Sequence, residues 1–483
     1  MKKKVALLLA GVLTVSVFSG CGNQNNESNV SNEADKKTEQ SASTSSAAES
    51  SEQADEEVTE IVVWDNSTGM KDYLLEQVEE FNSTIGKEEN IKLVWEFQTD
   101  DTAKEMAMID GNGPDITAIG SIAKSVESGW FVSLDDIPEI AETVAKNSQY
   151  RREKSNCIDG KMYTMVVCSQ ILGLAYNKDM FKEAGIVDEN GEAKPPATYE
   201  EMIECARILT DESKQQYGII FPGKWIGFYS YEISMNSMQN KGRGSYNPNT
   251  GLYDYAHLVP TLEMMMTMRE EGLVYPGMEG MDNDPARARF AEGNIGMKYA
   301  VEWDVSVWNE QFPVEFDWGV APLPVVSEEE RYVQMKQPGV SMGITTSGVE
   351  KKGADKIAVV FNWYYSDEML IKMYEDGKRL PWRSDIAEAA DFTGKDVAKG
   401  WIDFGNLVEI SGQDVATLPV DITGYEKDAA SVMSDVFSGK MSPKEWAEER
   451  AKIYNEGIEN YKKLHPEEDY SDRILPDWEP AYQ

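Results

Sequence analysis

The chain is poor in cysteine and histidine. Its 483 residues contain only two histidines and four cysteines. Beyond Cys21 the cysteines are odd in number and none forms a CxxC pair, namely Cys157, Cys168 and Cys205. We therefore expect no disulfide framework, no thiolate zinc site, and neither a bound metal nor a cofactor. The sequence leaves open whether Cys157 and Cys168 form a single bridge.

Positive charge is also scarce. Lysine and arginine number 46 against 85 aspartates and glutamates, which gives a formal net charge of −39. A body with this charge is repelled by phosphate backbones and by anionic lipid surfaces, which argues against nucleic-acid binding. A hydrophobic content of 41% is nevertheless ample for packed cores.

The most apolar run lies at the N-terminus. Lys2–Lys4 precede Val5–Phe18, which is too short to span a bilayer, and Ser19 and Gly20 then precede Cys21. This series resembles a bacterial lipoprotein signal, which implies a signal peptide over 1–20, a diacylated Cys21 and an anchor on the extracellular face of the cell membrane. The alternative is an ordinary secretory signal followed by an incidental cysteine.

The next segment, 21–58, is built almost entirely from Ser, Asn, Gln, Ala and Glu and has no aromatic residue. Such a composition buries too little apolar surface to offset its ordering entropy, so it predicts a disordered tether. As a flexible coil its reach is roughly 35 Å. That length is sufficient to hold a globular body just off a membrane.

Hydrophobic periodicity in the remaining chain indicates an α/β fold. Glu60–Trp64 is strand-like, helical spacing follows from Leu74, and Ile91–Phe97 alternates as a half-buried strand does. A second helical stretch and the strand-like run 116–119 come next. Strands and helices that alternate in this way predict a parallel sheet covered by helices, and the length predicts at least two lobes.

Seven sequence blocks together resemble one family. In chain order they are GPDI (113–116), SGWFVSL (128–134), DGKMY (159–163), LAYNKDMFKEAG (174–185), PATYEE (196–201), FAEGNIGMKYAVEW (290–303) and WGVAPLP (318–324). These blocks resemble the extracellular solute-binding proteins of ABC importers, in the sugar-binding branch that includes maltose-binding protein. The resemblance spans residues 59–463.

The resemblance implies a two-lobe periplasmic-binding-protein-like fold of type II, with three chain crossings and a ligand cleft between the lobes. Lobe 1 is expected over 59–168 and 344–400, and lobe 2 over 169–343 and 401–483. The implied function is capture of a small solute by hinge closure, and the resemblance favours an oligosaccharide as that solute. The expected partners are that solute, the membrane through the lipid anchor, and the importer's transmembrane subunits, with the protein itself a monomer.

Five candidate contacts follow from the resemblance. Asp65 and Asn66 follow the first strand, where the family places polar sugar ligands, although loop capping explains them equally well. Gln170 aligns with a ligand carboxylate at the first crossing, so an amide stands where the family has an acid. Trp303 aligns with a stacking tryptophan, the alternative being a core position. Tyr425 falls next to a late aromatic ligand of the family.

Loop residues supply four further candidates. Trp225 lies in a glycine-flanked loop after a strand, which suits an exposed aromatic that stacks on a sugar, and Tyr229 follows it closely. Trp382 and Arg383 come from a loop that often faces the cleft in this family. Each of these residues equally suits a packing role.

Catalysis is not expected. Gly339–Gly343 matches a nucleophile elbow, but its pattern continues as a strand where the chemistry requires a helix to begin at once. Two alternatives stay open on composition, namely a surface glycoside-active enzyme that uses paired carboxylates and a solute sensor or adhesin without a transport role. The abundance of acidic pairs keeps the first open, and the absence of repeats or an output domain disfavours the second.

Overall fold

A computed structural model describes residues 58–118, 120–153, 155–412, 414–425 and 431–481. The predicted signal peptide, Cys21 and the tether up to residue 57 lie outside the described residues. The description below concerns the compact unit that covers residues 56–483. Within its described part, no helix has the length and apolar character needed to cross a bilayer.

The strands are short, apart from four of six or seven residues, two in each of the two main sheets. In chain order they are β1 Thr59–Asp65, β2 Ile91–Phe97, β3 Ile116–Thr117, β4 Cys157–Ile158, β5 Lys161–Met162, β6 Met165–Val166, β7 Ser169–Gln170, β8 Leu172–Asn177, β9 Tyr217–Ile219, β10 Tyr246–Asn247, β11 Leu252–Tyr253, β12 Ile295–Val301, β13 Trp318–Ala321, β14 Gln334–Met335, β15 Gln337–Pro338, β16 Ser341–Ile344 and β17 Ser411–Gly412.

Helices cover both sheets. The α-helices are α1 Lys71–Ser83, α2 Ile85–Glu88, α3 Asp101–Ile109, α4 Ile122–Glu127, α5 Ala141–Lys146, α6 Lys178–Glu183, α7 Tyr199–Leu209, α8 Asn236–Met238, α9 Val259–Glu270, α10 Asn283–Ala291, α11 Asp304–Ser306, α12 Thr346–Lys352, α13 Ala354–Tyr364, α14 Asp367–Glu375, α15 Ser384–Ala389, α16 Trp401–Glu409, α17 Val432–Asp435 and α18 Pro443–Leu464. Two π-helices occupy Phe228–Met235 and Val307–Gln311.

The first sheet has the strand order β2-β1-β3-β16-β6. β1 is parallel to β2 and β3, as the periodicity predicts, whereas β16 is antiparallel to both of its neighbours. On β2 the alternating residues Ile91, Leu93 and Trp95 are buried, because helices pack on that face. The alternation in the sequence therefore identified correctly the face of β2 that packs against the core.

The second sheet has the order β13-β8-β12-β9. All residues of β8 and β12 are buried, because separate clusters of helical side chains cover the two faces. Leu172 and Leu174 point into one cluster, and Ala175 points into the other. This double cover explains why both strands consist mainly of apolar residues.

Three chain segments run side by side between the two sheets. β7 pairs with β15, so that Gln170 lies opposite Gln337. On the other side of β7, Ser169 N–H donates to the Leu380 carbonyl at 2.9 Å, and Ser169 Oγ donates to the Pro381 carbonyl at 2.7 Å. The predicted two-lobe fold is thus confirmed, and β7 is the central segment of the crossing.

Two helices begin at caps formed by residues close in sequence. Ser442 and Glu445 form a reciprocal capping box at α18, with Pro443 in the first turn. At α7 the box is incomplete, because Glu201 accepts the N–H of Ala197 instead of that of Thr198. The three described cysteines are free and buried, so the open question of a bridge is answered by two separate thiols.

Candidate functional site

Three aromatic side chains meet on the second lobe. The rings of Trp225 and Tyr231 stack with centroids 5.6 Å apart and an interplanar angle of 12°. Tyr231 meets Trp303 edge-to-face at 5.4 Å and 85°. All three are partly buried, so each keeps some surface open to solvent. We call this group the aromatic wall.

Each ring of the wall is fixed by a different element. Trp225 lies in the loop after β9, Tyr231 on the π-helix Phe228–Met235, and Trp303 two residues after β12. The loop packs closely: a Cβ added at Gly227 would lie 2.3 Å from the Trp225 ring, so only glycine fits there. A π-helix is an uncommon element that often marks a functional site.

The aromatic wall is joined to the crossing segment β7. The hydroxyl of Tyr231 donates to Oε1 of Gln170 at 3.1 Å. Gln170 is partly exposed, so its amide is available to a polar ligand as well. The structure thereby brings three of the predicted residues, Gln170, Trp225 and Trp303, into one neighbourhood and adds Tyr231.

A carboxylate that the sequence analysis missed lies at the same place. Oε2 of Glu302 accepts the N–H of Ile171 at 3.0 Å, directly after Gln170. Burial raises the pKa of Glu302 to about 8. Burial, and next the carboxylate of Glu302, raise the pKa of Tyr231. The position of Glu302 directly before Trp303 in the sequence was the signal that could have identified it, since the neighbours of a ligand residue at a strand end commonly line the same site.

Buried charges support the turn that carries Glu302 and Trp303. Asp304 is 1% exposed; it accepts from Nε of Arg287 at 2.7 Å and from the N–H of Val301 at 3.2 Å. Glu232, the residue after Tyr231, forms a buried pair with Lys298 at 3.7 Å, and burial raises the pKa of Glu232 to about 8. The turn after β12 is thus held by the hydrogen bonds of Asp304 to Arg287 and to the N–H of Val301.

Asp65 and Asn66, predicted as solute contacts, occupy different environments. Asp65 is fully buried; Oδ1 accepts the N–H of Ser67 at 2.8 Å, and Oδ2 lies 3.4 Å from Nη2 of Arg379. In this conformation Asp65 therefore holds the loop after β1 and offers no surface to a solute. Asn66 is exposed on that loop.

Tyr229 and Tyr425 lie apart from the wall. Tyr229 packs on Trp446 of α18 at 5.9 Å, and burial raises the pKa of its hydroxyl. Tyr425 is 37% exposed and donates to Oε2 of Glu456 at 2.8 Å. Among the described residues no ring contact links either tyrosine to the wall.

Trp382 and Arg383 are both 4% exposed and lie at the crossing. Lys336 Nζ lies 5.2 Å from the Trp382 ring centroid and donates to the Trp382 carbonyl at 2.8 Å. Burial lowers the pKa of Lys336 to about 8. Arg383 pairs with Asp367 and Asp385. Trp382 and Lys336 line a cavity of about 300 Å³, which contains none of the wall residues.

The residues that suggested catalysis do not assemble into a nucleophile elbow. Ser341 opens the strand β16 and does not lie on a strand-to-helix turn. Burial lowers the pKa of His257 to about 3, so this side chain is a neutral core residue. The described residues also contain no group of three or more His, Cys, Asp or Glu side chains placed to bind a metal ion.

Comparison with known proteins also indicates a solute-binding protein. The profile of the family described as bacterial extracellular solute-binding protein matches residues 65–370. Curated binding proteins of Brucella abortus (strain 2308) and Brucella suis biovar 1 (strain 1330) are each 26% identical over 172 residues, which is 35% of this chain. That match covers 39% of the length of those relatives.

Solved structures cover more of the chain. The sugar-binding protein MalE from Xanthomonas citri superposes with a TM-score of 0.63 at 18% identity, over 85% of this chain and 100% of that one. A solute-binding protein from Thermotoga lettingae, bound with α-D-tagatose, gives 0.58 at 17%, over 83% and 100%. RafE in complex with raffinose gives 0.57 at 17%, over 84% and 100%. At these identities the likeness establishes the fold.

Proposed function

Because this chain belongs to the bacterial extracellular solute-binding protein family, we propose that it captures an oligosaccharide between its lobes and delivers it to the transmembrane subunits of an ABC importer. Proteins of the same fold bind raffinose and α-D-tagatose, which supports a saccharide ligand. We also propose that the solute leaves unchanged, since the matched family and its structural neighbours are binding proteins.

The observation that carries this proposal is the aromatic wall beside β7. Sugars present flat C–H surfaces that pack on aromatic faces, and hydroxyl pairs that suit planar amides and carboxylates. Burying ~100 Å² of one aromatic face contributes about 2–3 kcal/mol. A micromolar complex requires about 8 kcal/mol, so several rings and polar groups must act together.

We propose Trp225, Tyr231, Trp303 and Gln170 as solute contacts on lobe 2 and the crossing, with Asn66 as a contact from lobe 1. The other predicted residues take supporting positions in this proposal. Asp65 orients the loop of Asn66, while Trp382 and Arg383 stiffen the crossing. For Tyr229 and Tyr425 we propose a solute contact only if closure moves them towards the wall.

We retain the lobe division 59–168 with 344–400 and 169–343 with 401–483 as part of the proposal. β16 pairs within the first sheet and α13 packs on it, whereas α16 packs on the second sheet. Ligand contacts to both lobes would stabilise a closed form, and that form docks on the importer.

A saccharide screen tests the proposed function. The protein lacking residues 1–57 is expected to gain thermal stability with at least one neutral or charged oligosaccharide, because a ligand that binds only the folded state stabilises it by about 2.7 kcal/mol at one hundred times Kd. Small-angle scattering should then show compaction, and the recovered saccharide should be chemically unchanged. Stabilisation by peptides but by no saccharide, or the appearance of cleaved products, would contradict the proposal.

The N-terminal residues lead to a separate prediction. We propose that Cys21 is diacylated and holds the protein at the extracellular face of the membrane, as the signal-like series before it supports. The Cys21→Ala variant is expected to leave the membrane fraction, since its tether would carry no lipid. Membrane fractionation of cells that express each form measures this, with Cys205→Ala as the cysteine control. Retention of Cys21→Ala in the membrane fraction would disprove lipid anchoring through this residue.

A further inference from the structure

One carboxylate at the aromatic wall has no cationic partner among the residues that the structure describes. Glu302 is partly exposed at the end of β12, with Oε2 bound to the N–H of Ile171. The lysine of β12 and the arginine that holds the following turn have other partners: Lys298 pairs with Glu232, and Arg287 pairs with Asp304. Within the described residues no lysine or arginine forms an ion pair with Glu302. Its second oxygen therefore lacks a counter-charge from this described part of the chain.

An unpaired, partly buried carboxylate beside Tyr231 is unfavourable in its charged form unless a ligand compensates it. The groups around Glu302 suit a cation, because the faces of Trp and Tyr rings attract ammonium groups as well as packing on sugar C–H surfaces. Gln170 adds an amide that can bind a hydroxyl. The net charge of −39 favours the approach of cations over that of anions.

We propose that the solute is a saccharide that carries a free amino group, and that Glu302 pairs with this ammonium while the wall packs on the sugar ring. This inference rests on the proposed function and specifies its substrate class. It makes Glu302 the residue that discriminates between amino sugars and neutral sugars. In the free protein a neutral, protonated Glu302 lowers the cost of burying the unpaired acid.

The number of protons released on binding distinguishes an amino sugar from a neutral sugar. With a pKa of about 8, Glu302 is mostly protonated at neutral pH in the free protein. Pairing with an ammonium group favours the carboxylate form and lowers that pKa, so binding must release a proton to the buffer. A neutral sugar causes no such release. Calorimetry in two buffers of different ionisation enthalpy counts the protons.

The experiment compares the β-1,4-linked dimer of glucosamine with the same dimer in its N-acetylated form, at about pH 6.5, where an aliphatic amine is charged. We expect the amine to bind at least about tenfold more tightly, as a charge-assisted hydrogen bond allows, with release of close to one proton. Glu302→Gln should abolish both the preference and the proton release. The matched control is Glu310→Gln, which removes an exposed carboxylate eight residues away.

Glu302→Gln retains an oxygen that can accept the N–H of Ile171, so an unchanged melting temperature without ligand shows that the variant is folded. Equal or tighter binding of the acetylated dimer, of maltotriose or of raffinose by the wild type would overturn the inference while the proposed function stands. Binding of choline that depends on Glu302, with no binding of any saccharide, would support recognition of an ammonium group by Glu302. The same result would contradict the proposal that the solute is a saccharide. No binding of either the amine or choline would overturn the inference outright.

Discussion

Replacing Trp303 with alanine is expected to weaken saccharide binding at least tenfold while leaving the melting temperature nearly unchanged. The ring is partly exposed and meets Tyr231 edge-to-face, so its removal takes away one face of the aromatic wall. Losing ~100 Å² of apolar contact with the ligand corresponds to about 2–3 kcal/mol of binding free energy. Calorimetry of wild type and variant with the best saccharide from the screen measures the loss.

Trp363→Ala is the matched control for this variant. Trp363 is also partly exposed, but it lies on α13 of the first lobe, where it packs on Phe81 with ring centroids 4.9 Å apart. This control should lower the melting temperature somewhat and leave affinity unaltered. A large fall in melting temperature for Trp303→Ala, with unaltered affinity, would instead assign Trp303 to the core.

The largest effect on stability is expected from Asp304→Ala. Asp304 is 1% exposed and accepts from Arg287, whose side chain is 11% exposed, as well as from the N–H of Val301. Removing the acid leaves a buried guanidinium without its main partner, which costs about 3–5 kcal/mol. The turn that carries Glu302 and Trp303 loses its support at the same time. Urea denaturation should show the lower stability, and calorimetry a weaker affinity.

The same arginine provides an internal control. Asp284 also pairs with Arg287, at 2.7 Å, but its side chain is 64% exposed. Exposed ion pairs contribute about 0–1 kcal/mol, so Asp284→Ala should change the denaturation midpoint little. Equal losses of stability for the two variants would show that burial does not distinguish these carboxylates.

Several features followed from the sequence because their physical causes are local. The alternation of Ile91–Phe97 reflects which face of β2 is covered, and periodicity reports that directly. Ordered blocks of sequence then identified the family, and the two-lobe fold came with it.

The candidate site was only partly accessible in this way. Trp225, Trp303 and Gln170 stood out from their loop positions and the resemblance, and the structure brings them together. Tyr231 and Glu302 did not, because no spacing rule relates a π-helix, a strand end and a crossing segment that are far apart in sequence. The position of Asp65 after the first strand suggested a solute contact, but the sequence could not show its pairing with Arg379, which lies more than three hundred residues away.

The sequence by itself determined the acidic composition, the α/β alternation and membership of the solute-binding family, since each depends on composition or on neighbouring residues. Only the tertiary structure decided which carboxylates are paired and which is left without a counter-charge. Pairing depends on distances across the fold, as with Arg287 and Asp304 or Lys298 and Glu232. For that reason the chemical character of the site could be read only once the chain was folded.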